Sequence, residues 1–210
     1  MRRAIAGLDE VLVLTLHSKA VMPLRVHHRQ VFSHALAVFA TDSYADQAVL
    51  SSSLHQLWAI RHGSTLETRI RYTPSDVFET FPRPAPTARL TEAGKLLDTE
   101  RREVMLRRQL GLTKLYNVVN DRDVADSADK DVARLREIHV EIDEAVMAAY
   151  GWAGLPLDHG FHGYRQMTRW TISPQARVEV FDRLLEENHR RAALQGEAPL
   201  AAEDEVEDEQ

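Results

Sequence analysis

The chain contains no cysteine, which excludes a disulfide scaffold and every thiolate-based metal site. No apolar run approaches the roughly 18 residues that a membrane span requires. The apolar start of MRRAIAGLDEVLVLTL is interrupted by Asp9 and Glu10 before a signal-type core can form. These absences predict a cytoplasmic protein with no membrane partner. Catalytic signatures are missing as well. The nine glycines form neither G-x-G-x-x-G nor a phosphate-binding loop, the turns that a nucleotide-dependent transferase needs after a strand. Ser51, Ser52 and Ser53 fall in a helical stretch without the G-x-S-x-G setting of a nucleophilic serine. Asp121, Asp123 and Asp126 lack the glycine and terminal glutamate of a calcium-binding EF-hand loop. His159-Gly-Phe-His162 has a metal-like spacing, with His139 and His189 elsewhere, but no third ligand has a defined position; loop histidines bonded to backbone are the simpler reading.

What is present suits a globular protein. With 210 residues, 44% of them hydrophobic, the chain can bury a core and form one large domain or two small ones. The formal net charge of −6 looks unsuited to a polyanionic partner, but seven of the 32 acidic residues lie in residues 197–210, which hold no Lys or Arg. The remainder carries 26 basic against 25 acidic residues. Residues 1–90 are more basic, with ten Lys and Arg against seven Asp and Glu, and hold six of the ten histidines. An electrostatic footprint for nucleic acid therefore falls in the first half.

The first half alternates strand signals with one helix. VLVLTL from Val11, VMPLRV from Val21 and VFSHALAVFA from Val31 are short, rich in β-branched residues and separated by polar turns. Asp42 or Ser43 can cap a helix with Leu50, Leu54, Leu57 and Trp58 at helical spacing, and Gly63 is placed to end it. Arg83 to Leu90 (RPAPTARL) reads as a linker. Beyond it, Thr91 can cap a helix through Leu110 that Gly111 stops, and residues 129–150 place Val132, Leu135, Ile142, Val146 and Ala149 on one stripe before Gly151. Ser173-Pro174 opens a last helix predicted to bury Val178, Phe181, Leu184 and Leu185. The predicted fold class is α+β: a partial mixed or antiparallel sheet with one packed helix in residues 1–85, a small helical domain in 86–195, and a disordered acidic tail in 196–210.

The stretch GSTLETRIRYTPSDVFETFPRP, from Gly63 to Pro84, carries the functional signal. In an extended strand Leu66, Thr68, Ile70 and Tyr72 line one face while Glu67, Arg69 and Arg71 line the other. One face packs and the other is charged. Taken alone, Glu67 and Arg69 read most simply as a surface ion pair worth under ~1 kcal/mol. Phe78 and Phe81, among Pro74, Pro82 and Pro84, read as core anchors, and His55, Trp58 and Arg61 as packing residues with polar rims.

Residues from Val31 through Pro84 resemble the C-terminal half of the target recognition domain of MmeI-like enzymes, the single-chain type IIL restriction–modification family. LRRQLGLTKLYNVVND, LREIHVEIDEAVMAAYGW and RWTISPQARVEVFDRLLEENHRR resemble the helical C-terminal domain that follows it, so that the likeness covers residues 4–192. In that family one polypeptide carries a nuclease, a helical connector, an S-adenosylmethionine-dependent adenine-N6 methyltransferase, the recognition domain and the C-terminal domain. The Gly-rich cofactor loop and the Asn-Pro-Pro-aromatic motif of the methyltransferase, and a nuclease metal motif, do not occur here. The chain alone is expected neither to methylate nor to cut, and S-adenosylmethionine is expected in a full-length or partner methyltransferase. The resemblance leaves open a split-gene specificity piece, a truncated gene product and a fragment of a longer protein.

What the resemblance implies for the charged strand is base reading in double-stranded DNA. Glu accepts from cytosine N4 and Arg donates to guanine O6 and N7 in the major groove, so Glu67 with Arg69 can read a C·G pair, and Arg71 and Ala35 face a neighbouring pair. A split-gene piece would do so together with a separate methyltransferase or nuclease chain; the alternative is a non-catalytic interaction fragment or truncated gene product that docks a partner through its helices and has lost DNA binding. Salt-dependent duplex binding separates the two.

Overall fold

The computed structural model describes residues 2–18, 20–66, 69–164 and 167–197; Glu67 and the tail from residue 198 lie outside them. Helix α1 (Arg2–Ile5) leads into β1 (Glu10–Thr15), β2 (His17–Ser18), β3 (Leu24–His27) and β4 (Leu36–Phe39). Helices α2 (Tyr44–Ser51) and α3 (Ser53–His62) follow, then β5 (Ser64–Leu66), β6 (Arg69–Arg71) and a short α4 (Pro74–Val77). The remainder comprises α5 (Ala88–Arg108), α6 (Leu112–Val119), α7 (Lys130–Ala149), β7 (Gly160–Tyr164), β8 (Met167–Thr171) and α8 (Pro174–Glu197). The fold is α+β, as the sequence predicts, and each strand pairing described is antiparallel.

The unbroken apolar run VLVL reflects a strand covered on both faces. Strand β1 is the centre of a sheet ordered β3-β1-β4. Leu12 and Leu14 turn to the main core with their cross-strand partners Phe39 and Ala37, while Val11 and Val13 face the other way into a small cluster with Ile5, Leu8, Val26, Phe32 and Val38. The chain then passes through Leu16 into β2 and a second sheet ordered β2-β6-β5. Leu16 joins the two sheets: its N–H donates to the Ala35 carbonyl at 2.9 Å, and its carbonyl accepts from the Tyr72 N–H at 2.8 Å.

The single helix expected between Ser43 and Gly63 is two. Ser43 Oγ caps α2 by accepting from the Asp46 N–H. Ser52 then leaves the helical region at ψ 156°. Its hydroxyl donates to the Val49 carbonyl at 2.7 Å and accepts from the His55 N–H at 3.2 Å, ending one helix and capping the next. Gly63 does end α3, but not as a left-handed cap; its φ is −73°. Close approach is what requires glycine here, because a Cβ would lie 2.5 Å from the Ala59 oxygen and 2.9 Å from the Arg71 oxygen.

In the second half the cap of α5 is Thr87 rather than Thr91, and Gln109, in the left-handed region at φ 53°, ends the helix before Gly111. Asp129 caps α7 and Gly151 follows it at φ 75°. Ser173 Oγ accepts from the Ala176 N–H to open α8. The buried stripe of α8 is Ala176, Val180 and Leu184, four residues apart, whereas Val178 is 61% exposed. The helical part also contains a β7–β8 hairpin that the sequence reading missed. Helix α2 packs on α5 and α5 on α7, and one apolar core runs from Leu12 to Leu184 across both halves of the chain. A buried polar seam crosses it: Arg25 lies over the Tyr44 ring at 4.0 Å and donates to Gln47 Oε1 and the Asp42 carbonyl, and Gln47 donates to Asp98 on α5.

Candidate nucleic-acid interface

Strand β6 is anchored from below. Ile70 and Tyr72 are buried while Arg71 between them is exposed, the alternation a half-buried strand demands. Tyr72 meets Phe39 edge-to-face at 6.1 Å, and Phe39 packs on Phe78 at 4.8 Å. The Tyr72 hydroxyl lies 3.1 Å from His55 Nε2, and His55 Nδ1 lies 2.9 Å from the Leu50 carbonyl. A carbonyl only accepts, so Nδ1 carries the hydrogen and the Tyr72 O–H donates to Nε2. Burial holds His55 neutral, lowering its pKa to about 4 against the opposing pull of the Leu50 bond, and pushes the Tyr72 phenol up. Phe81 packs on the His55 ring at 5.1 Å and is buried, so Phe81 is the core anchor its sequence setting indicates.

Leu66 faces Arg69 across an antiparallel pair, Thr65 faces Ile70 and Ser64 faces Arg71. The strand expected to run unbroken through residues 66–72 is therefore not one strand: Leu66 belongs to β5 and Arg69, Ile70 and Arg71 to β6. Glu67 lies outside the described residues, and Arg69 is placed by its backbone in β6. On the other edge of β6, His17 pairs with Arg71, and both side chains are exposed. Ala35 is exposed and bonds Leu16 on the side opposite Tyr72. Ala35 and Arg71 thus flank the β1–β2 segment, about 10 Å apart by two strand spacings. The loop before Ala35 adds exposed His27, Arg29 and His34, with Val31 92% exposed at its tip. His28, Arg29, Gln30, Val31 and Phe32 line an open groove of about 400 Å³ against Ile5 and Ala6.

The end of α3 brings one further cationic group, Arg61, to this region. Arg61 is exposed with its guanidinium 5.1 Å over the Phe181 ring of α8. His62 packs tilted against Trp58 at 4.0 Å between ring centroids and lies 6.0 Å from Phe181, and partial burial lowers its pKa.

The histidines with metal-like spacing serve structure. His159 Nε2 donates to Asp143 Oδ2 at 2.8 Å, and Asp143 Oδ1 accepts from the Ser53 N–H at 2.7 Å, so one buried carboxylate on α7 caps α3 and holds the 159 loop. His139 Nε2 lies 2.8 Å from the Tyr116 hydroxyl, and His162 bonds the Asp158 carbonyl. Among the described residues no three His, Asp or Glu side chains are grouped to hold a metal ion. Asp126 pairs with buried Arg136, whose other donors satisfy the carbonyls of Val119, Asp121 and Val124. That loop therefore wraps an arginine. No described helix is long and apolar enough to cross a membrane.

No protein-family model and no curated protein matches the chain. Its α+β fold is that of a segment of a restriction–modification enzyme. The solved structure that shows this is the type IIL restriction-modification enzyme MmeI in complex with DNA, which matches 89% of the chain with a TM-score of 0.56 at 19% identity. The chain spans 22% of the length of that enzyme.

Proposed function

We propose that this chain is the DNA-recognition part of a type II restriction–modification, S-adenosylmethionine-dependent adenine-N6 methyltransferase, with the catalytic parts supplied by other polypeptide. The carrying observation is the β5–β6 ribbon, with Arg71 exposed beside Arg69 on a fold shared with a DNA-bound restriction–modification enzyme. A two-stranded ribbon fits the major groove, where arginine grips guanine O6 and N7 and glutamate accepts from cytosine N4. Glu67 and Arg69 read one C·G pair, and Arg71 and Ala35 contact its neighbour. The sequence lacks the Gly-rich loop and Asn-Pro-Pro-aromatic motif of a methyltransferase, so the methyl donor belongs to the partner or full-length enzyme.

The test is a change of specificity. The chain is supplied with its catalytic partner, or grafted into a full-length enzyme of this fold, and the methylated site is determined. The double substitution Glu67→Lys with Arg69→Asp reverses donor and acceptor, so the position read as C should become G while the others stay unchanged. Either single substitution should do worse, at about 1–3 kcal/mol per lost contact. A double variant that methylates the original site with undiminished preference rules out base reading by this pair.

A further inference from the structure

We infer that Arg61 is a phosphate-gripping residue that sets the β5–β6 ribbon on the duplex; the inference rests on the DNA reading above and adds the backbone contact that reading lacks. Three observations carry it.

The first is placement. Arg61 stands in the last turn of α3, three residues before Ser64, whose cross-strand partner is Arg71. Three residues of chain span at most about 10 Å, and a paired residue adds about 5 Å. The Cα atoms of Arg61 and Arg71 therefore lie within roughly 15 Å, a reach comparable with a major groove about 12 Å wide. With Arg71 at base edges, Arg61 stands at the groove rim where the phosphates run. The placement is rigid, since a Cβ on Gly63 would collide with the Arg71 carbonyl and His55 on the same helix bonds Tyr72 of the following turn of chain.

The second is the state of the guanidinium. It lies over the face of Phe181. At 5.1 Å from the ring centroid the contact is within cation–π range, and such a contact leaves guanidinium N–H donors able to bond an acceptor as well. Rotamer freedom is lost before any ligand arrives, which lowers the cost of ordering on binding. The third is charge. Among the described residues Arg61 has no carboxylate within ion-pair distance, in contrast to Arg89, Arg102, Arg107, Arg134, Arg183, Arg190 and Arg191, each paired to Asp or Glu. An exposed arginine held against a ring, with no carboxylate partner among the described residues, beside a candidate base-reading strand has the properties of a backbone clamp.

The experiment measures binding of the full chain to a mixed-sequence DNA duplex across a salt series, for the wild type and for Arg61→Gln, Arg61→Lys and Arg122→Gln. Arg122 is an exposed arginine in the α6–α7 loop and controls for net charge. Loss of one phosphate contact should reduce the log–log salt slope by about 0.9 in Arg61→Gln, with affinity falling alike on unrelated sequences. Arg61→Lys should keep the slope and lose a few-fold in affinity, because ammonium holds the charge without the planar fork. Arg122→Gln should change neither. If the wild type binds but Arg61→Gln keeps its slope, or if Arg61→Gln and Arg122→Gln reduce it equally, Arg61 is not a clamp and the DNA reading survives. If the wild type shows no salt-dependent binding, the DNA reading and the clamp fall together.

Discussion

Mild acid should destabilise this protein well before its carboxylates titrate. His55 and His139 are fully buried, and burial, the largest influence, lowers each pKa from 6.5 to about 4; Arg83 lowers that of His55 further, while at His139 the pull of Asp143 opposes burial and Arg101 and His159 add to it. The unfolded chain therefore takes up protons on these two histidines near pH 6.5 while the folded chain refuses them until about pH 4. Wherever the unfolded state binds more protons, stability falls as pH falls. A depression of about 2.5 units is worth about 3 kcal/mol per histidine when fully expressed, and about 2 kcal/mol at pH 5. The pair should then cost about 4 kcal/mol between about pH 8 and pH 5, against a total stability of roughly 5–15 kcal/mol for an ordinary domain. Glu187 and Asp129, whose pKa values are lowered by arginine partners, lose their contributions only in more acidic solution. The assay is urea denaturation followed by tryptophan fluorescence at intervals over that pH range. His55→Gln and His139→Gln should each lower stability at pH 8, through the lost contacts to Tyr72 and Tyr116, and should flatten the pH dependence. A wild-type stability that changes by less than about 1 kcal/mol over this range, or a double variant with an undiminished slope, refutes the reasoning.

Two further outcomes concern the joints of the fold. Asp143→Ala strands the Ser53 N–H and His159 in the interior, so it should cost about 3–5 kcal/mol, a fall of roughly 6–20 °C in melting temperature by calorimetry; Asp143→Asn, which keeps an acceptor, should cost less. Melting within about 2 °C of wild type would show that α3 and the 159 loop are held by other contacts. Gly94→Ala would drive a Cβ to 1.9 Å from the Tyr44 carbonyl oxygen where α5 crosses α2; despite alanine's helix preference of about 1 kcal/mol, it should lose about 1–3 kcal/mol to overpacking, and a gain in the same melt would contradict the close crossing.

The parts of the fold legible in the sequence were those fixed by local chemistry. Ser43 and Ser173 each cap a helix because a short oxygen-bearing side chain reaches an N–H three residues on, and Gly151 takes the positive φ that follows α7. Some local choices were still misread, such as Thr87 rather than Thr91 at the start of α5, but most of what escaped was set by partners distant in sequence. Nothing in Ser51-Ser52-Ser53 distinguishes the hydroxyl that breaks the helix from its neighbours; Ser53 begins α3 with its N–H on Asp143. The β7–β8 hairpin is held by Phe161 against Trp170, edge-to-face at 5.3 Å, yet its Gly and His residues drew attention as a metal-like loop. In the candidate site, the exposure of Arg71 followed from period two, whereas the reversal between Leu66 and Arg69 carries no Gly or Asn signal in ETR. Arg61 looked like a helix residue with a polar rim, because its defining neighbour, Phe181, comes from α8.

The two faces of β6 divide the labour between folding and the proposed recognition. Ile70 and Tyr72 hold the strand to the core, and the Tyr72–His55 bond ties it to α3, the helix that carries Arg61. Arg71 contributes nothing to that anchorage, since its exposed side chain faces away from the buried pair. A substitution at Arg71 or Arg61 therefore removes a surface charge whose effect on stability is within about 0.5 kcal/mol, while a substitution at Tyr72 or His55 disturbs the floor beneath both. The arrangement lets the side chains proposed to face DNA vary without cost to the fold, and it fixes the distance between the proposed base-reading strand and the proposed phosphate clamp through one helix. A loosened floor should thus show itself as lost discrimination between sequences before it shows as lost affinity, because base edges demand tighter placement than phosphates do.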